Sequence, residues 1–302
     1  MHPTVAVPAE ISPPIGSRRS QATLAAAFAR AGRGLHTGGR AHVRVSPAPA
    51  DHGIVFRRRL EDGRVADVPG LWRYRESQPL CTALRRDGVL VRTVEHLMAS
   101  LRALAIDNAL VEIDAEELPI FDGSATPWCA AILAAGRVEQ AAACRTLRVT
   151  RTVAVCDGRR TLRIEPGPGL HVAGHVELSY FGRIDWAGAI TPESFVGEIA
   201  PARSFGRFFR AMAGRVYGFA ARKPFLQGCS PHSAALLVRG HVIGGLRVPG
   251  EPVRHRILDV IGDLALVGHP VEGRITAAHT GHELNHALVA ALMADPAAWE
   301  LA

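Results

Sequence analysis

Thr93-Val94-Glu95-His96-Leu97-Met98-Ala99-Ser100-Leu101 and His255-Arg256-Ile257-Leu258-Asp259-Val260-Ile261-Gly262-Asp263 are the two stretches on which the reading of this chain turns. In the first, Val94, Leu97, Met98 and Leu101 recur with helical period on one stripe. In the second, His255 and Asp259 are four residues apart, so on a helix they share one face, and Asp263 continues it one turn on. An imidazole and a carboxylate at that spacing, joined by His96, make a three-ligand metal site with a position left for water, the layout of catalytic rather than structural zinc. Glu95 beside His96 supplies a base, and the pattern points to metal-assisted hydrolysis. Blander readings exist for each piece. A lone His in an apolar helix is commonly a satisfied core residue, and His255 with Asp259 could be an exposed helical pair. Against the second stand Ile257, Leu258, Val260, Ile261 and Leu264, which bury the helix. Two aspartates and a histidine along a buried face cost too much desolvation without a cation among them.

The chain has 302 residues, 48% hydrophobic and 21% charged, the composition of a globular protein with a large core and room for two domains. No apolar run reaches the ~20 residues that span a bilayer. The stretch 1–20 is rich in Pro and small residues without the plan of a signal peptide, and is expected to be a floppy arm of a cytoplasmic protein. Five scattered cysteines form no C-x-x-C pair, so disulfides and thiolate zinc are not expected. The formal net charge is +7, and Lys223 is the sole lysine. No tight Lys/Arg run with interleaved aromatics and no finger or RNA-binding signature occurs, which argues against nucleic acid. The densest cluster, Arg57-Arg58-Arg59, is expected at a solvated strand end. A basic surface does suit a phosphate-bearing substrate or peripheral contact with an anionic membrane face.

Residues 21–60 alternate apolar and polar in short runs and read as strands. The periodicity predicts a helix over 93–103, a strand over 109–114 and a second helix near 125–135. A break is expected near 136–145. Strands follow at 146–155, 161–165 and 171–178, then a variable stretch at 180–189, a helix near 192–199, a helix over 254–267, a short strand at 275–279 and a last helix over 281–295. Strands first and helices later in both halves imply α+β layers packed on each other.

His282 falls in the first turn of that last helix, where the dipole disfavours a proton. To act as a cationic acid it needs a carboxylate, and Asp263 is the candidate; a capping or surface role is the alternative. Ser204 and Phe205 sit in a loop, where a hydroxyl can donate to a developing oxyanion. There is no G-x-S-x-G elbow, P-loop or dinucleotide fingerprint.

These segments resemble the UDP-3-O-acyl-N-acetylglucosamine deacetylases, zinc enzymes of lipid A synthesis. The resemblance runs from about residue 21 to 300. It is carried by Gly34-Leu35-His36-Thr37-Gly38, Thr93–Leu97, Pro119-Ile120-Phe121-Asp122-Gly123-Ser124-Ala125, Ala202-Arg203-Ser204-Phe205-Gly206, Val253–Asp263 and Gly281-His282-Glu283-Leu284-Asn285. It implies two β-α-α-β domains, 21–144 and 145–302, packed as a sandwich with the active site between them. It implies zinc on His96, His255 and Asp259, with Fe2+ as the other possible metal. Glu95 would be the general base, His282 tuned by Asp263 the acid, and Ser204 an oxyanion donor. An acylated UDP-sugar would be the substrate, contacted by Phe205, Arg256, His279, His36, Tyr180 and Phe181, with Ser179–Trp186 in the place of the acyl-passage insert. No oligomer is implied.

The departures concern the substrate shell. Arg256 and His279 stand where the family usually has Lys, and Ser204 where it has Thr. Gly228-Cys229-Ser230 replaces Gly-Gly-Ser, and Pro231-His232-Ser233 is atypical. Arg and Lys are not equivalent toward phosphate, so the alternative is a zinc deacetylase of another N-acetylated nucleotide sugar or amino sugar. A non-catalytic relative is opposed by the intact set. An iron oxygenase with two His and a carboxylate shares the donors, but usually takes them from His-x-Asp on a barrel.

Overall fold

The computed structural model describes residues 19–302. Most of the expected arm therefore lies outside the described residues. Its last two do not behave as an arm: Arg19 is bonded to both oxygens of Asp107 at 2.6 and 2.8 Å, and Ser20 opens the strand Ser20–Leu24.

The chain is α+β. The first half builds a five-stranded sheet in the order Phe28–Arg33, Arg40–Pro47, Ala109–Ile113, Ile54–Arg59, Val65–Pro69. In Arg40–Pro47 the alternation is strict: Ala41, Val43 and Val45 are buried while Arg40, His42 and Arg44 face water. A small sheet, Arg75–Glu76, Ala83–Arg86 and Val89–Arg92, leads into helix α1, Glu95–Ala103; α2 is Thr126–Ala135. The second half builds a seven-stranded sheet around Val271–Ala278, which pairs with Leu147–Val149, Arg160–Glu165 and Leu170–Leu178. Its helices are α3, Pro192–Ser194, continued by a wide turn over Phe195–Ile199; α4, Phe208–Ala220; α5, Glu251–Leu264, just before the central strand; and α6, His282–Ala294, just after it. Helix α1 packs on α5, which lies on Leu170–Leu178, and α6 lies on Val153–Asp157 and Arg160–Glu165. One core runs through, from Val43, Phe56 and Leu97 to Leu258, Ile275 and Leu288. The layers are sheet, helices, helices, sheet.

Several expectations change. The break near 136–145 is a strand, Arg137–Ala143, antiparallel to Ser20–Leu24. Its side chains are mostly exposed and its partner lies at the start of the chain, so no local alternation marks it. The strand expected over 146–155 is two, Leu147–Val149 and Val153–Asp157, divided where Thr150 turns to bond Ala298. The variable stretch at 180–189 is mostly strand, Gly182–Ala189, in a hairpin with Leu170–Leu178. The short strand at 275–279 is eight residues long. Helix α4 had no counterpart in the sequence reading. It belongs to a separate unit in which Phe205–Arg207 and Ala235–Val238 pair in parallel across it, over a satellite core of Leu35, Ile120, Ala211, Leu226, Cys229, Ala234 and Leu236. Arg58 of the arginine cluster is only partly solvated and donates to the Leu90 carbonyl at 2.7 Å. All five cysteines are free, and only Cys156 is exposed. No helix among the described residues is long and apolar enough to cross a membrane.

Candidate active site

Two local features set α1 against α5. Gly262 has no side chain to hold the helices apart: a Cβ there would stand 2.2 Å from the Glu95 carbonyl oxygen. Thr93, just before α1, has φ 60°, a conformation β-branched residues rarely adopt and which costs about 1–3 kcal/mol. Its hydroxyl donates to buried Glu117 at 3.0 Å. The same carboxylate accepts from the backbone N–H groups of His36 (2.8 Å) and Thr37 (2.7 Å) and from the Thr37 hydroxyl (2.7 Å). Glu117 thus ties the Gly34–Gly38 loop to the turn that aims α1.

The result is a buried cluster. His96, His255 and Asp259 each offer a ligand atom within 4.8 Å of the others. His255 Nδ1 lies 3.1 Å from the Ala202 carbonyl, and the His96 ring is hydrogen-bonded to the Ser124 backbone. Each imidazole is thereby held in one orientation with its second nitrogen free, as metal-ligating histidines are. Burial, aided by neighbouring positive groups, pulls both down to about 3, so they are neutral and able to ligate. Asp259 Oδ1 is buried with no hydrogen-bond partner among the described residues. An orphaned carboxylate oxygen between two neutral imidazoles is costly, and a divalent cation answers it. The donor set fits zinc or iron(II).

Beside the cluster lies a proton-handling group. Glu95 Oε2 accepts from the Thr82 N–H at 3.0 Å, and Oε1 is 3.9 Å from His282 Nε2. Burial pushes Glu95 up to about 8, with His282 opposing and Asp259 and Asp263 adding to the rise. His282 Nδ1 donates to Asp263 Oδ2 at 3.0 Å, and its Nε2 is 3.9 Å from Asp259 Oδ2. Burial alone would lower His282, but Asp263, Asp259 and Glu95 outweigh it and hold it up at about 10. Asp263 is buried, yet His286, His282 and the hydroxyl of Thr82 hold it down at about 2. Asn285 donates to it at 2.8 Å, and Thr82 donates to its other oxygen. With the Thr82 proton so engaged, His286 Nε2, 3.0 Å away, is the donor to Thr82 Oγ1. Without a metal, a protonated Glu95 carboxyl and a cationic His282 imidazole thus face each other beside the cluster.

Sequence reasoning did not single out Thr82 and His286. The Thr82 hydroxyl meets its partners across some 180 residues or more of chain and carries no local signal. His286 did carry one, lying four residues after His282 on the same helix face.

The remaining candidates lie at different distances from this centre. Ser204 is clamped through its backbone, donating to Gly123 and accepting from Ala235, and its hydroxyl has no partner among the described residues. The Phe205 ring meets His255 edge-on at 6.3 Å, and the Arg256 guanidinium lies 5.0 Å over it. Arg256 Nη1 is 3.7 Å from Asp259 Oδ2. His279 and Tyr180 sit apart from the cluster, in the wall of a cavity of about 660 Å³ with Arg159, Arg160, Glu177 and Ser179. Arg160 and Arg256 converge on Gly281, at the start of α6, and link that cavity to His282. Tyr180 is 78% exposed on the hairpin turn, with Phe181 beside it. His36 is buried next to Phe225, and its Nε2 has no hydrogen-bond partner among the described residues.

Residues 21–294 match the family model for UDP-3-O-acyl N-acetylglycosamine deacetylase (LpxC). The UDP-3-O-acyl-N-acetylglucosamine deacetylase of Myxococcus xanthus is 38% identical over 298 residues, covering 94% of this chain and 90% of its own length. Those of Xanthomonas axonopodis pv. citri and Xylella fastidiosa are each 38% identical over 288 residues, covering 93% of this chain and 92% of theirs. The chain belongs to the UDP-3-O-acyl N-acetylglycosamine deacetylase family.

Proposed function

We propose that this chain hydrolyses the N-acetyl group of UDP-3-O-(3-hydroxyacyl)-N-acetylglucosamine in a zinc-dependent reaction, releasing acetate in the committed step of lipid A biosynthesis. The observation that carries the reading is the His96, His255 and Asp259 cluster with its orphaned Asp259 oxygen, flanked by Glu95 and a cationic His282.

An N-acetyl amide is a poor electrophile and its amine a poor leaving group. Bound by the three ligands, zinc would supply a Lewis acid that acidifies water and polarises the carbonyl, and its charge would offset the burial that raises Glu95. Glu95, oriented by the Thr82 N–H, takes the proton of the attacking water. The Ser204 hydroxyl, free of other partners, donates to the oxyanion. His282 carries a proton at neutral pH and gives it from Nε2 to the leaving nitrogen, while Asp263 holds its Nδ1. Arg160 and Arg256 at the start of α6, with Arg159 and His279 in the adjoining cavity, suit the diphosphate of a UDP group. Phe205 walls the cleft, His36 offers its free Nε2, and Tyr180 and Phe181 on the hairpin are assigned to the acyl chain.

In this reading residues 21–144 and 145–302 are two units. The first contributes Glu95 and His96; the second contributes the remaining ligands and the acid. Free, mostly buried cysteines support a reducing compartment, and we assign the cytoplasm.

The test is acetate release from UDP-3-O-(3-hydroxyacyl)-N-acetylglucosamine, with metal content measured on the same sample. Turnover lost to a chelator and restored by zinc meets the proposal. Metal-loaded protein that leaves this substrate intact and deacetylates another N-acetyl sugar refutes the substrate assignment.

A further inference from the structure

Helix α4 is apolar on both faces. Inward, Ala211 is buried, with Phe208 and Met212 packed against the satellite core. Outward, Phe209 is 69%, Val216 68%, Tyr217 55% and Phe219 80% exposed. This group of large apolar residues is uncovered in the protein, and such a patch marks an interaction surface rather than ordinary surface.

Its charge says what covers it. Residues 200–250 contain no aspartate or glutamate, but carry seven arginines and the chain's one lysine. Arg203 and Arg247 are neutralised by Glu251 and Asp122. Arg207, Arg210, Arg215, Arg222 and Lys223, on or next to α4, have no ion-pair partner among the described residues. Lys223 holds its ammonium over the Tyr217 ring, 5.9 Å from the centroid. Arg207 also bonds the Ser179 hydroxyl at 3.0 Å, setting the hairpin tip with exposed Tyr180 beside the start of the helix. Exposed aromatics interleaved with unpaired cations and no acid are the composition of a helix that lies in a membrane interface. A second copy is a poor occupant: a two-fold contact through this face would set Arg210, Arg222 and Lys223 against their own like.

We propose that the outer face of α4 docks the protein on an anionic lipid surface, with Phe209, Val216, Tyr217 and Phe219 entering the headgroup region and Arg210, Arg222 and Lys223 meeting lipid phosphates. The surface is separate from the metal cluster, and the proposal does not depend on which substrate the enzyme takes.

The test is co-sedimentation of the full chain with vesicles of phosphatidylethanolamine and phosphatidylglycerol, against vesicles of phosphatidylcholine alone, at low and high salt. Binding to the anionic vesicles only, weakened by salt, is expected. Arg222→Glu with Lys223→Glu lowers partitioning at least about tenfold, at roughly fivefold per cation removed. Phe209→Ser with Phe219→Ser lowers it at least about tenfold with charge unchanged. The control Arg30→Glu with Arg40→Glu, which makes the same charge change on the exposed strand pair Phe28–Arg33 and Arg40–Pro47, retains binding. Equal sedimentation with both vesicle types, or α4 variants that bind like the wild type, overturns the proposal. So does a concentration-dependent dimer that the two Phe→Ser changes dissociate. Unchanged thermal midpoints establish that the variants are folded.

Discussion

Replacing Gly262 with alanine adds one methyl group at the contact between α1 and α5. The new Cβ would lie 2.2 Å from the Glu95 carbonyl oxygen, 2.9 Å from its carbon and 3.0 Å from its Cα. All three are backbone atoms, so no side chain can swing aside. Ordinary contact begins at 3.4 Å, and reaching it requires α1 to retreat about 1.2 Å from α5. Helix α1 begins with Glu95 and His96, whereas His255, Asp259 and Asp263 are on α5. The retreat therefore opens the metal cluster and lengthens the Glu95–His282 separation together. Overpacking of this kind costs about 1–3 kcal/mol of stability, and a misplacement of about 1 Å at reacting groups costs about 10²-fold in rate. The assay is kcat/KM for acetate release with zinc content and thermal midpoint on the same preparation. Gly262→Ala should remain folded, with a midpoint lowered by a few degrees, while losing zinc and at least about 10²-fold in kcat/KM. A variant that keeps full zinc and near-wild-type turnover would refute the claim that backbone contact at this glycine sets the site.

Other outcomes follow from the same geometry. Glu95→Gln keeps the volume and an oxygen for the Thr82 N–H; it should retain metal by elemental analysis and lose about 10²–10⁴ in kcat. Asp263→Asn removes the carboxylate that most strongly holds His282 up at about 10, so the alkaline limb of the kcat/KM profile should move to lower pH by about one unit or more, a shift absent if Asp263 only packs. The chelated protein should show a stability maximum near pH 6.5 in denaturant melts. His96 and His255, at about 3 when folded, are protonated by unfolding, so stability rises with pH up to their unfolded value of about 6.5. Glu95, at about 8 when folded and 4.5 when unfolded, loses stability between those values and so halves the rise above pH 4.5, and His282, at about 10, adds a second loss above 6.5, so stability falls from there. Stability that keeps rising from pH 7 to 9 would contradict the raised pKa of His282.

Helical spacing made much of this protein legible without coordinates. His255, Asp259 and Asp263 had to share a face because 3.6 residues make a turn, and the apolar residues between them had to bury that face. The strict alternation in Arg40–Pro47 likewise announced a half-buried strand. Where packing supplied the pattern, local reading failed. Arg137–Ala143 is a strand because Ser20–Leu24 lies beside it, not because its own residues alternate. Helix α4 runs unbroken through Gly214 and Gly218, where the Phe225 ring and the Phe225 carbonyl lie too close for a Cβ, so its own residues weaken the helical signal and a segment outside the helix explains them. A chain segment cannot show which distant surface will cover it.

By itself, then, the sequence determined the α+β layering and the two helices that carry His96, His255 and Asp259, and it put forward these residues, with Glu95, Asp263 and His282, as the set on which the proposed reaction rests, since spacing and burial are properties of a single segment. The tertiary structure alone decided what state those residues are in. That Asp263 stays ionised at about 2 depends on His286 and His282 of α6 and on Thr82, just before the strand Ala83–Arg86, and that His282 stays protonated at about 10 depends on Asp263 and Asp259 of α5 and Glu95 of α1, elements far apart in the chain. Charge in a dry site is set by everything within a few ångströms, and only the fold brings those neighbours together.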